Sequence, residues 1–311
     1  MPGKTVNPIH LKIMDYTCHS DTGKIKSLFI KEVQQAFVSD EHIEQNWKKL
    51  NYLGKPDFRI ASDEYGSFHS ILKMSVPEIC LFPQDDMVNM DSIYCRDASI
   101  ATDGGFVICN MGKAARMNEP RSGKKTFETG GFPILGTIET PGTLEGGDVA
   151  WLDEKTLAVG QSYRTNEEGI RQLRVFLQPL GVDIIPVPLP HYKGPSDVFH
   201  LMSIFSPVDT DLAVVYSSLM PVIFRNLLLN RGYRLVEVED REFETMGCNV
   251  LALAPRQCLM VDGNPKTKAA LEKEGCRVDV YKGEEISIKG GGGPTCLTRP
   301  VYRQRQEKKG P

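Results

Sequence analysis

Four glycines and a proline lead directly to a single cysteine near the C-terminal end of the sequence. The stretch reads GGGGPTC and ends at Cys296. Glycine permits close approaches of the backbone that other residues forbid, and Pro294 fixes one φ angle before the cysteine. A loop of this kind can present a thiol as a nucleophile. It also fits a flexible linker with a buried cysteine, because free cysteines are often buried.

Cys296 is the last of five polar or reactive residues that recur at nearly equal steps. The steps are 48, 55, 49 and 47 residues. In chain order the residues are Asp97, Glu145, His200, Asn249 and Cys296. Carboxylates bind cations, histidine moves protons, and a cysteine thiolate attacks carbon. Taken singly, each acid also fits a turn cap and the histidine a hydrogen-bonded core residue, but the common spacing favours a shared site.

The elements that would position these residues begin at about residue 76, where short apolar strands alternate with turns and amphipathic helices. Strands are predicted at 79–82, 98–102, 106–110, 149–151, 156–159, 182–188, 212–216, 235–238, 250–254, 257–261 and 277–281. Helices are predicted at 166–180, 221–230 and 266–275. The order strand, strand, helix, strand recurs about every 50 residues, which is typical of a repeat protein. Repeats arranged around an axis bring equivalent positions together at the centre.

Residues 1–75 are predicted to form a lead-in and the first repeat of a single domain that spans 1–311. A strand is predicted at 11–14 and helices at 23–37, 40–51 and 57–74, with Asp40 as the N-cap of the second. We assign no chemistry to this part and expect Asp57, Glu64 and His69 on solvated faces. The basic tail, 303–311, is predicted to be a frayed, solvated terminus.

Composition argues for an ordinary globular protein and against several function classes. The net charge is −3, with 37 basic and 40 acidic residues, so no surface for nucleic acid is predicted. We find no signal peptide and no apolar stretch long enough to cross a membrane. The eight cysteines include no CxxC pair, which favours reduced thiols, a cytoplasmic location and no metal site. The glycine run lacks the ending of a nucleotide P-loop, and no cofactor is predicted.

Several short motifs resemble the guanidino-group-modifying enzymes, a superfamily that includes arginine deiminase, dimethylarginine dimethylaminohydrolase and the amidinotransferases. The resemblance covers about residues 76–302 and extends weakly through the lead-in. The motifs are YCRD ending at Asp97, LEGGD around Glu145, GQSYRTN around Arg164, FHLMS around His200 and the loop ending at Cys296. The resemblance implies an α/β fold, a five-bladed propeller of ββαβ units with pseudo-fivefold symmetry.

The resemblance also implies roles for the four reactive residues. Asp97 would clamp the nitrogens of a guanidinium, which needs carboxylates that match its planar donors. Glu145 would contact the guanidinium and support the histidine. Cys296 would attack the central carbon to form a covalent thiouronium intermediate. His200 would protonate the departing amine and activate water.

Three further residues are expected to bind the body of the substrate. Arg116 lies 19 residues after Asp97, and Arg164 lies 19 residues after Glu145. Both align with arginines that bind the substrate α-carboxylate in the family. Glu119 is a candidate for binding an amino group.

The subfamily is left open by the sequence. Arginine deiminases carry an acid two residues after the histidine, where this chain has Met202, followed by Ser203. The pattern His-Leu-x-Ser is closer to the dimethylarginine hydrolases, whereas the glycine loop is more similar to deiminases and amidinotransferases. We therefore predict a hydrolase that cleaves a C–N bond of an arginine-derived guanidino or ureido substrate. The alternatives are an amidinotransferase, an arginine deiminase or dihydrolase, and a non-catalytic binding protein. Homo-oligomer formation is also left open.

Overall fold

The structure is a computed structural model, and it describes residues 15–196 and 198–306. The N-terminal part contains β1 (Tyr16–Thr17), β2 (Ile25–Ile30), α1 (Val33–Ala36), α2 (Asp40–Asn46), α3 (Phe58–Ser75) and β3 (Glu78–Leu81). The predicted strand at 11–14 lies outside the described residues.

Four units of two strands, a helix and a third strand follow. The first contains β4 (Ser99–Thr102), β5 (Gly105–Ile108), α4 (Glu119–Thr129) and β6 (Ile134–Thr137). The second contains β7 (Val149–Asp153), β8 (Thr156–Gln161), α5 (Glu167–Leu177) and β9 (Asp183–Pro188). The third contains β10 (Phe205–Asp209), β11 (Leu212–Val215), α6 (Val222–Asn230) and β12 (Arg234–Glu237), followed by the short α7 (Asp240–Phe243). The fourth contains β13 (Leu251–Ala254), β14 (Gln257–Val261), α8 (Pro265–Lys273) and β15 (Arg277–Tyr281), and β16 (Arg299–Gln304) ends the described chain.

Short helices of other types connect these elements. The 3₁₀-helices are Met90–Ile93, Ala114–Arg116, Gly146–Asp148, Gln178–Leu180, Leu201–Ser203 and Ser217–Leu219. A π-helix, Glu284–Ile288, precedes the glycine loop.

Each of the four units forms a three-stranded sheet in which the first pair of strands is antiparallel and the second pair is parallel. The fifth sheet has the order β1-β16-β2-β3, so the last strand of the described chain completes the sheet of the lead-in. These five sheets confirm the predicted five-bladed α/β fold. Backbone hydrogen bonds of β16 with β1 and β2 therefore connect the C-terminal part of the described chain to its N-terminal part.

The five recurring residues occupy one equivalent position in the blades. Each stands two to five residues before the first strand of its sheet, β4, β7, β10, β13 or β16. All five side chains are buried. In each blade, the recurring residue therefore lies just before the N-terminal end of the first strand.

Most predicted elements from residue 76 onward are present, but two elements after Arg116 were not predicted. No helix or strand was predicted between residues 111 and 148, a stretch that contains α4 and β6. Polar residues dominate α4, and its buried apolar side chain is Phe127, which stacks on Phe106 at 3.7 Å between ring centroids. A helix with so narrow an apolar face gives a weak periodic signal.

The predictions for the lead-in were less accurate. The helix at 57–74 is confirmed as α3, and its N-cap Asp57 accepts a hydrogen bond from the Ile60 N–H at 2.8 Å. The helix at 40–51 ends at Asn46, and its N-cap is Ser39 instead of Asp40. The predicted single helix at 23–37 is wrong, because that range contains strand β2 followed by the four-residue helix α1. A short apolar strand buried on both faces cannot be told from a buried helix by periodicity.

Two solvation predictions are also wrong, and both corrections concern buried charges. Glu64 is buried, and its carboxylate accepts hydrogen bonds from three backbone N–H groups of the π-helix. Arg303 was assigned to the frayed tail, but it lies in β16 and is 1% exposed. In neither case does the local sequence show the partner, because the partner comes from a distant element.

Candidate active site

His200 and Glu145 form the shortest contact among the reactive residues. The Nε2 of His200 lies 2.8 Å from Oε2 of Glu145. Although burial alone lowers the pKa of His200, the surrounding Asp148, Glu145 and Asp97 raise it to about 9. The same hydrogen bond and charge lower the pKa of Glu145 against the effect of its burial. At neutral pH the pair is therefore an imidazolium beside a carboxylate.

Two backbone hydrogen bonds fix the chain at His200, and Gly147 leaves room for the imidazole ring. The backbone N–H of His200 donates to the Ser203 Oγ at 3.1 Å. Asp148 receives the next backbone N–H, that of Leu201, at 3.0 Å. A Cβ atom at Gly147 would overlap the His200 ring and approach Asp97, so only glycine lets the ring lie this close.

Asp97 presents one carboxylate oxygen to the site and uses the other for a salt bridge. Its Oδ2 accepts from Nη1 of Arg116 at 2.6 Å. Its buried Oδ1 has no hydrogen-bond donor among the described residues. An oriented carboxylate oxygen of this kind is a direct acceptor for a guanidinium N–H.

Cys296 faces Asp97 and is buried. Its Sγ lies 3.5 Å from Nδ2 of Asn249, whose Oδ1 accepts hydrogen bonds from the backbone N–H and the hydroxyl of Thr295. Burial and the negative charge of Asp97 raise the pKa of the Cys296 thiol. Asn249, one of the five recurring residues, thus contacts the thiol.

The glycine loop lies against aromatic and amide side chains. A Cβ atom at Gly292 would overlap the Tyr94 ring, which packs beneath the loop. The Tyr94 hydroxyl donates to the Ile286 carbonyl at 3.1 Å and so connects the ring to the π-helix. The glycines therefore allow the chain to pass over Tyr94 and bring Cys296 towards Asp97 and His200.

A small polar pocket collects most of the predicted site residues. Cys296, His200, Asp97, Glu145, Arg116 and Arg164 all line it. Two residues that the sequence did not single out, Asp91 and Lys113, also line it and form a salt bridge of 2.6 Å. Their only sequence signal was their position within a few residues of Asp97 and Arg116.

The two arginines differ in how they are held. Arg116 donates two hydrogen bonds to Glu119, one to Asp97 and one to the Tyr94 carbonyl, which uses four of its five N–H groups. Arg164 lies with Nη1 at 3.8 Å from Oε1 of Glu145. Glu119 is not among the described residues that line the polar pocket. Its predicted contact with an amino group of the substrate stays a prediction.

Asp97, Glu145 and His200 also offer oxygen and nitrogen atoms that lie within 4.8 Å of one another, a spacing that a metal ion can use. All three of these residues are already engaged in the short pairs described above, His200 with Glu145 and Asp97 with Arg116. The expectation that the site works without a metal stays a prediction.

A second, larger cavity adjoins the polar pocket. This apolar chamber has a volume of about 410 Å³ and shares His200, Cys296, Val198, Gly290 and Gly291 with the pocket. Its other walls include the apolar Leu53, Tyr192, Phe199, Met202, Phe243 and Met246, with the polar Asn51, Lys193, Ser196, Ser203, Asn249 and Lys289 between them. Among the described residues its one carboxylate is Glu244, which is paired with Lys193 at 3.1 Å. The sequence did not indicate this chamber, because its walls come from four separate segments.

Comparison with known proteins agrees with this geometry. The sequence model of the family described as "N,N dimethylarginine dimethylhydrolase, eukaryotic" matches residues 32–303. The chain belongs to this family. The family enzymes are hydrolases that cut C–N bonds of amidine-type groups, and the chain shares this class of activity.

Individual relatives cover most of the chain at low identity. The uncharacterized protein YkgA of Bacillus subtilis is 29% identical over 288 residues, which is 92% of this chain and 95% of that protein. The N(G),N(G)-dimethylarginine dimethylaminohydrolase of Pseudomonas aeruginosa is 25% identical over 242 residues, 78% of this chain and 89% of that enzyme. A crystal structure of the Pseudomonas enzyme, a Cys-to-Ser mutant with citrulline, matches with a TM-score of 0.71 and 21% identity over 89% of this chain and 99% of that chain. No helix among the described residues is long and apolar enough to span a membrane.

Proposed function

We propose that this protein hydrolyses an arginine-derived guanidinium whose terminal nitrogen carries a substituent, releasing that nitrogen as an amine. The observation that carries the proposal is the meeting of Cys296, His200, Glu145 and Asp97 at one pocket that opens into an apolar chamber. The pocket supplies the charges that a guanidinium needs, and the chamber supplies room for a substituent. The products are a ureido compound and an alkylammonium ion.

The planar cation is proposed to bind between the two acids. Oδ1 of Asp97 and the carboxylate of Glu145 accept its N–H groups, which places the central carbon over Cys296. The bound cation then places a positive charge beside the Cys296 thiol. Because Asp97 and burial hold the thiol pKa high, we expect substrate binding to lower it and to generate the thiolate in place.

The covalent step is balanced by one proton from histidine. The Cys296 sulfur forms a bond to the guanidinium carbon, and the C–N bond to the substituted nitrogen breaks. His200, an imidazolium at neutral pH, gives its proton to the leaving amine. The neutral imidazole then takes a proton from water, the hydroxide adds to the thiouronium carbon, and the thiolate departs. The ureido product loses its hydroxyl proton, which the released amine takes up to become the alkylammonium ion.

The substrate body is proposed to extend towards Arg164 and Asp91. Arg164 lines the pocket and is proposed to bind a carboxylate, while Asp91 binds an amino group. Arg116, predicted from the sequence as a carboxylate ligand, has one N–H left for that purpose. We propose that its main role is to position Asp97 through the 2.6 Å salt bridge.

The test is a panel of arginine, Nω-methyl, Nω,Nω-dimethyl and Nω-benzyl arginine, agmatine and citrulline, with ammonia, amine and ureido products quantified. Release of the substituted amine together with citrulline supports the proposal. Intact mass measurement after acid quench should show a transient adduct on Cys296. Turnover of none of these compounds, or turnover without any adduct and unaffected by thiol alkylation, would contradict it.

An amidinotransferase is the second candidate, and the apolar chamber favours it to the same extent. An amine bound there could attack the intermediate in place of water. Adding glycine or benzylamine to the reaction separates the two functions, since growth of an amidinated amine at the expense of citrulline would establish transfer.

We also propose a cytoplasmic location, because a thiol nucleophile must stay reduced. All eight cysteines are free in the structure. Cell fractionation would test the location, and recovery of the active protein in an oxidising compartment would contradict it.

A further inference from the structure

Of the five recurring residues, Asn249 alone has no part in the reaction proposed above. It is 6% exposed and stands just before β13, at the position that Asp97, Glu145, His200 and Cys296 occupy in the other blades. It lines the apolar chamber, together with His200 and Cys296. A residue of this type at this position lies where the reacting atoms of the proposed mechanism meet.

The orientation of the Asn249 side-chain amide follows from its hydrogen bonds. The backbone N–H and the hydroxyl of Thr295 both approach one atom of the amide, at 3.1 and 2.8 Å. A backbone N–H can only donate, so that atom is the oxygen Oδ1. The amide nitrogen Nδ2 must then point the other way, where it lies 3.5 Å from Sγ of Cys296. The amide therefore presents a donor to the sulfur.

The glycine loop is shaped to keep this amide beside the thiol. A Cβ atom at Gly293 would lie 2.5 Å from Oδ1 of Asn249, so only glycine lets the loop pass so close. The carbonyl of Gly293 accepts from the backbone N–H groups of Cys296 and Leu297 at 3.0 and 3.1 Å. The turn that carries the sulfur thus begins at the residue that packs on Asn249, which fixes the distance between the amide and the thiol.

A neutral donor meets a particular need at this place. Burial and Asp97 raise the pKa of the Cys296 thiol, whereas the hydrogen bonds of Thr295 and Asn249 and the charge of Arg96 lower it. A lysine at position 249 would stabilise a thiolate more strongly, but its charge would compete with a cationic substrate for Asp97. An amide N–H stabilises the thiolate without that competition. The other titratable groups around the thiol are His200, Glu145, Tyr94 and Tyr281.

We propose that Asn249 is a further catalytic residue, whose amide N–H stabilises the Cys296 thiolate before it attacks and again when the sulfur departs. The inference deepens the proposed function, because it rests on Cys296 as the nucleophile. It adds no covalent step, since the amide only donates a hydrogen bond to the sulfur. With this assignment, each of the five blades contributes one residue to the reaction.

The experiment measures the rate at which iodoacetamide alkylates Cys296 as a function of pH, without substrate, by mass spectrometry of the Cys296 peptide. Asn249→Ala removes the donor and should move the alkylation midpoint to higher pH by about one pH unit, as expected for a hydrogen bond to a charged group. Asn249→Asp keeps an acceptor for Thr295 but places a negative oxygen beside the sulfur, so it should move the midpoint further. An unmoved midpoint in either folded variant overturns the proposal, even where turnover is lost.

The matched control is a second buried asparagine that contacts no thiol. Oδ1 of Asn264 accepts from the Thr245 hydroxyl at 2.7 Å, and its Nδ2 donates to the carbonyls of Thr245 and Val261 at 2.9 and 3.1 Å. Asn264→Ala should keep the wild-type midpoint, and a shift as large as that of Asn249→Ala would overturn the proposal. The peptide of the half-buried Cys80 is an internal reference in every sample. If one Asn249 variant does not fold, the other gives the same readout.

Failure of this inference and failure of the proposed function give different results. An unmoved midpoint in a protein that turns over the substrate panel overturns the role of Asn249 and leaves the proposed function intact. A moved midpoint in a protein that turns over none of the panel supports thiolate stabilisation by Asn249 and contradicts the proposed function alone.

Discussion

The polar pocket and the apolar chamber meet at Cys296 and His200 but are built on opposite principles. In the pocket, charged side chains are paired with one another before any substrate arrives, as Lys113 is with Asp91 and Arg116 with Glu119. In the chamber, aromatic, aliphatic and thioether side chains form much of the wall around a volume of about 410 Å³, and Lys193, Glu244 and Lys289 also line it. Paired charges cost less to bury than unpaired ones and present fixed oxygens to a cation. Apolar walls instead select the substituent by size, and each added methylene contributes only about 0.8 kcal/mol.

The largest expected effect comes from Cys296, which lines both the polar pocket and the apolar chamber. Cys296→Ser should reduce kcat/KM by at least about a thousandfold, because a hydroxyl has too high a pKa to ionise beside Asp97. Cys80→Ser, at a half-buried cysteine of β3, is the matched control and should retain activity. Near wild-type turnover by Cys296→Ser would show that the chemistry lies elsewhere.

The second-largest loss of activity is expected when the negative charge of Asp97 is removed from the polar pocket. Asp97→Asn should lower kcat/KM by about a hundredfold, since it removes the acceptor for the guanidinium and leaves Arg116 without one partner. The loss should be similar for all substituents on the leaving nitrogen. Asp63→Asn, at an exposed acid of α3, serves as control, and a loss that depends on substituent size would contradict the division into pocket and chamber.

The pH profile separates the charge of His200 from its position. Glu145 helps to raise the His200 pKa to about 9, so His200 holds its proton below that pH and loses it above. Activity that needs the imidazolium should therefore fall on the alkaline side of about pH 9. In Glu145→Gln the alkaline limb of kcat should move to lower pH, because the raising charge is gone. An unmoved limb would mean that another group sets it.

Filling the chamber should have a smaller and selective effect. Leu53→Trp and Met246→Trp are expected to lower kcat/KM for Nω-benzyl arginine about tenfold while changing that for Nω-methyl arginine little. Leu53 is 79% exposed, so its replacement should not disturb folding. Met74→Trp, at an exposed methionine of α3, is the control. Equal losses for both substrates would show that the substituent does not enter the chamber.

The smallest effect concerns the loop that forms a wall of both compartments. Glu64→Gln weakens the acceptor for three N–H groups of the π-helix before that loop and should lower the free energy of unfolding by about 1–2 kcal/mol. Denaturant unfolding measures the change, with Asp63→Asn again as control. A clear fall in kcat/KM, measured where the variant is still fully folded, would mean that Glu64 also adjusts the position of Cys296.

Much of the centre of the molecule could be predicted from spacing. Asp97, Glu145, His200, Asn249 and Cys296 recur because each precedes the first strand of a blade, and a repeat keeps that position at a constant interval. The strands themselves followed from apolar runs between turns. The strand at 25–30 was missed because its neighbours in the sheet, β3 and β16, lie far away in the chain.

By itself, the sequence identified the five recurring residues and the strand-strand-helix-strand repeat from residue types and intervals along the chain. The five-bladed fold and the class of chemistry were predicted from the resemblance of its motifs to the guanidino-group-modifying enzymes. The tertiary structure decided which charges are already paired. It paired Arg116 with Asp97, buried Glu64 under the π-helix and placed Arg303 among other arginines. It also formed the chamber from segments that share no motif. Pairing and cavity shape depend on distances between residues remote in sequence, which no local pattern records.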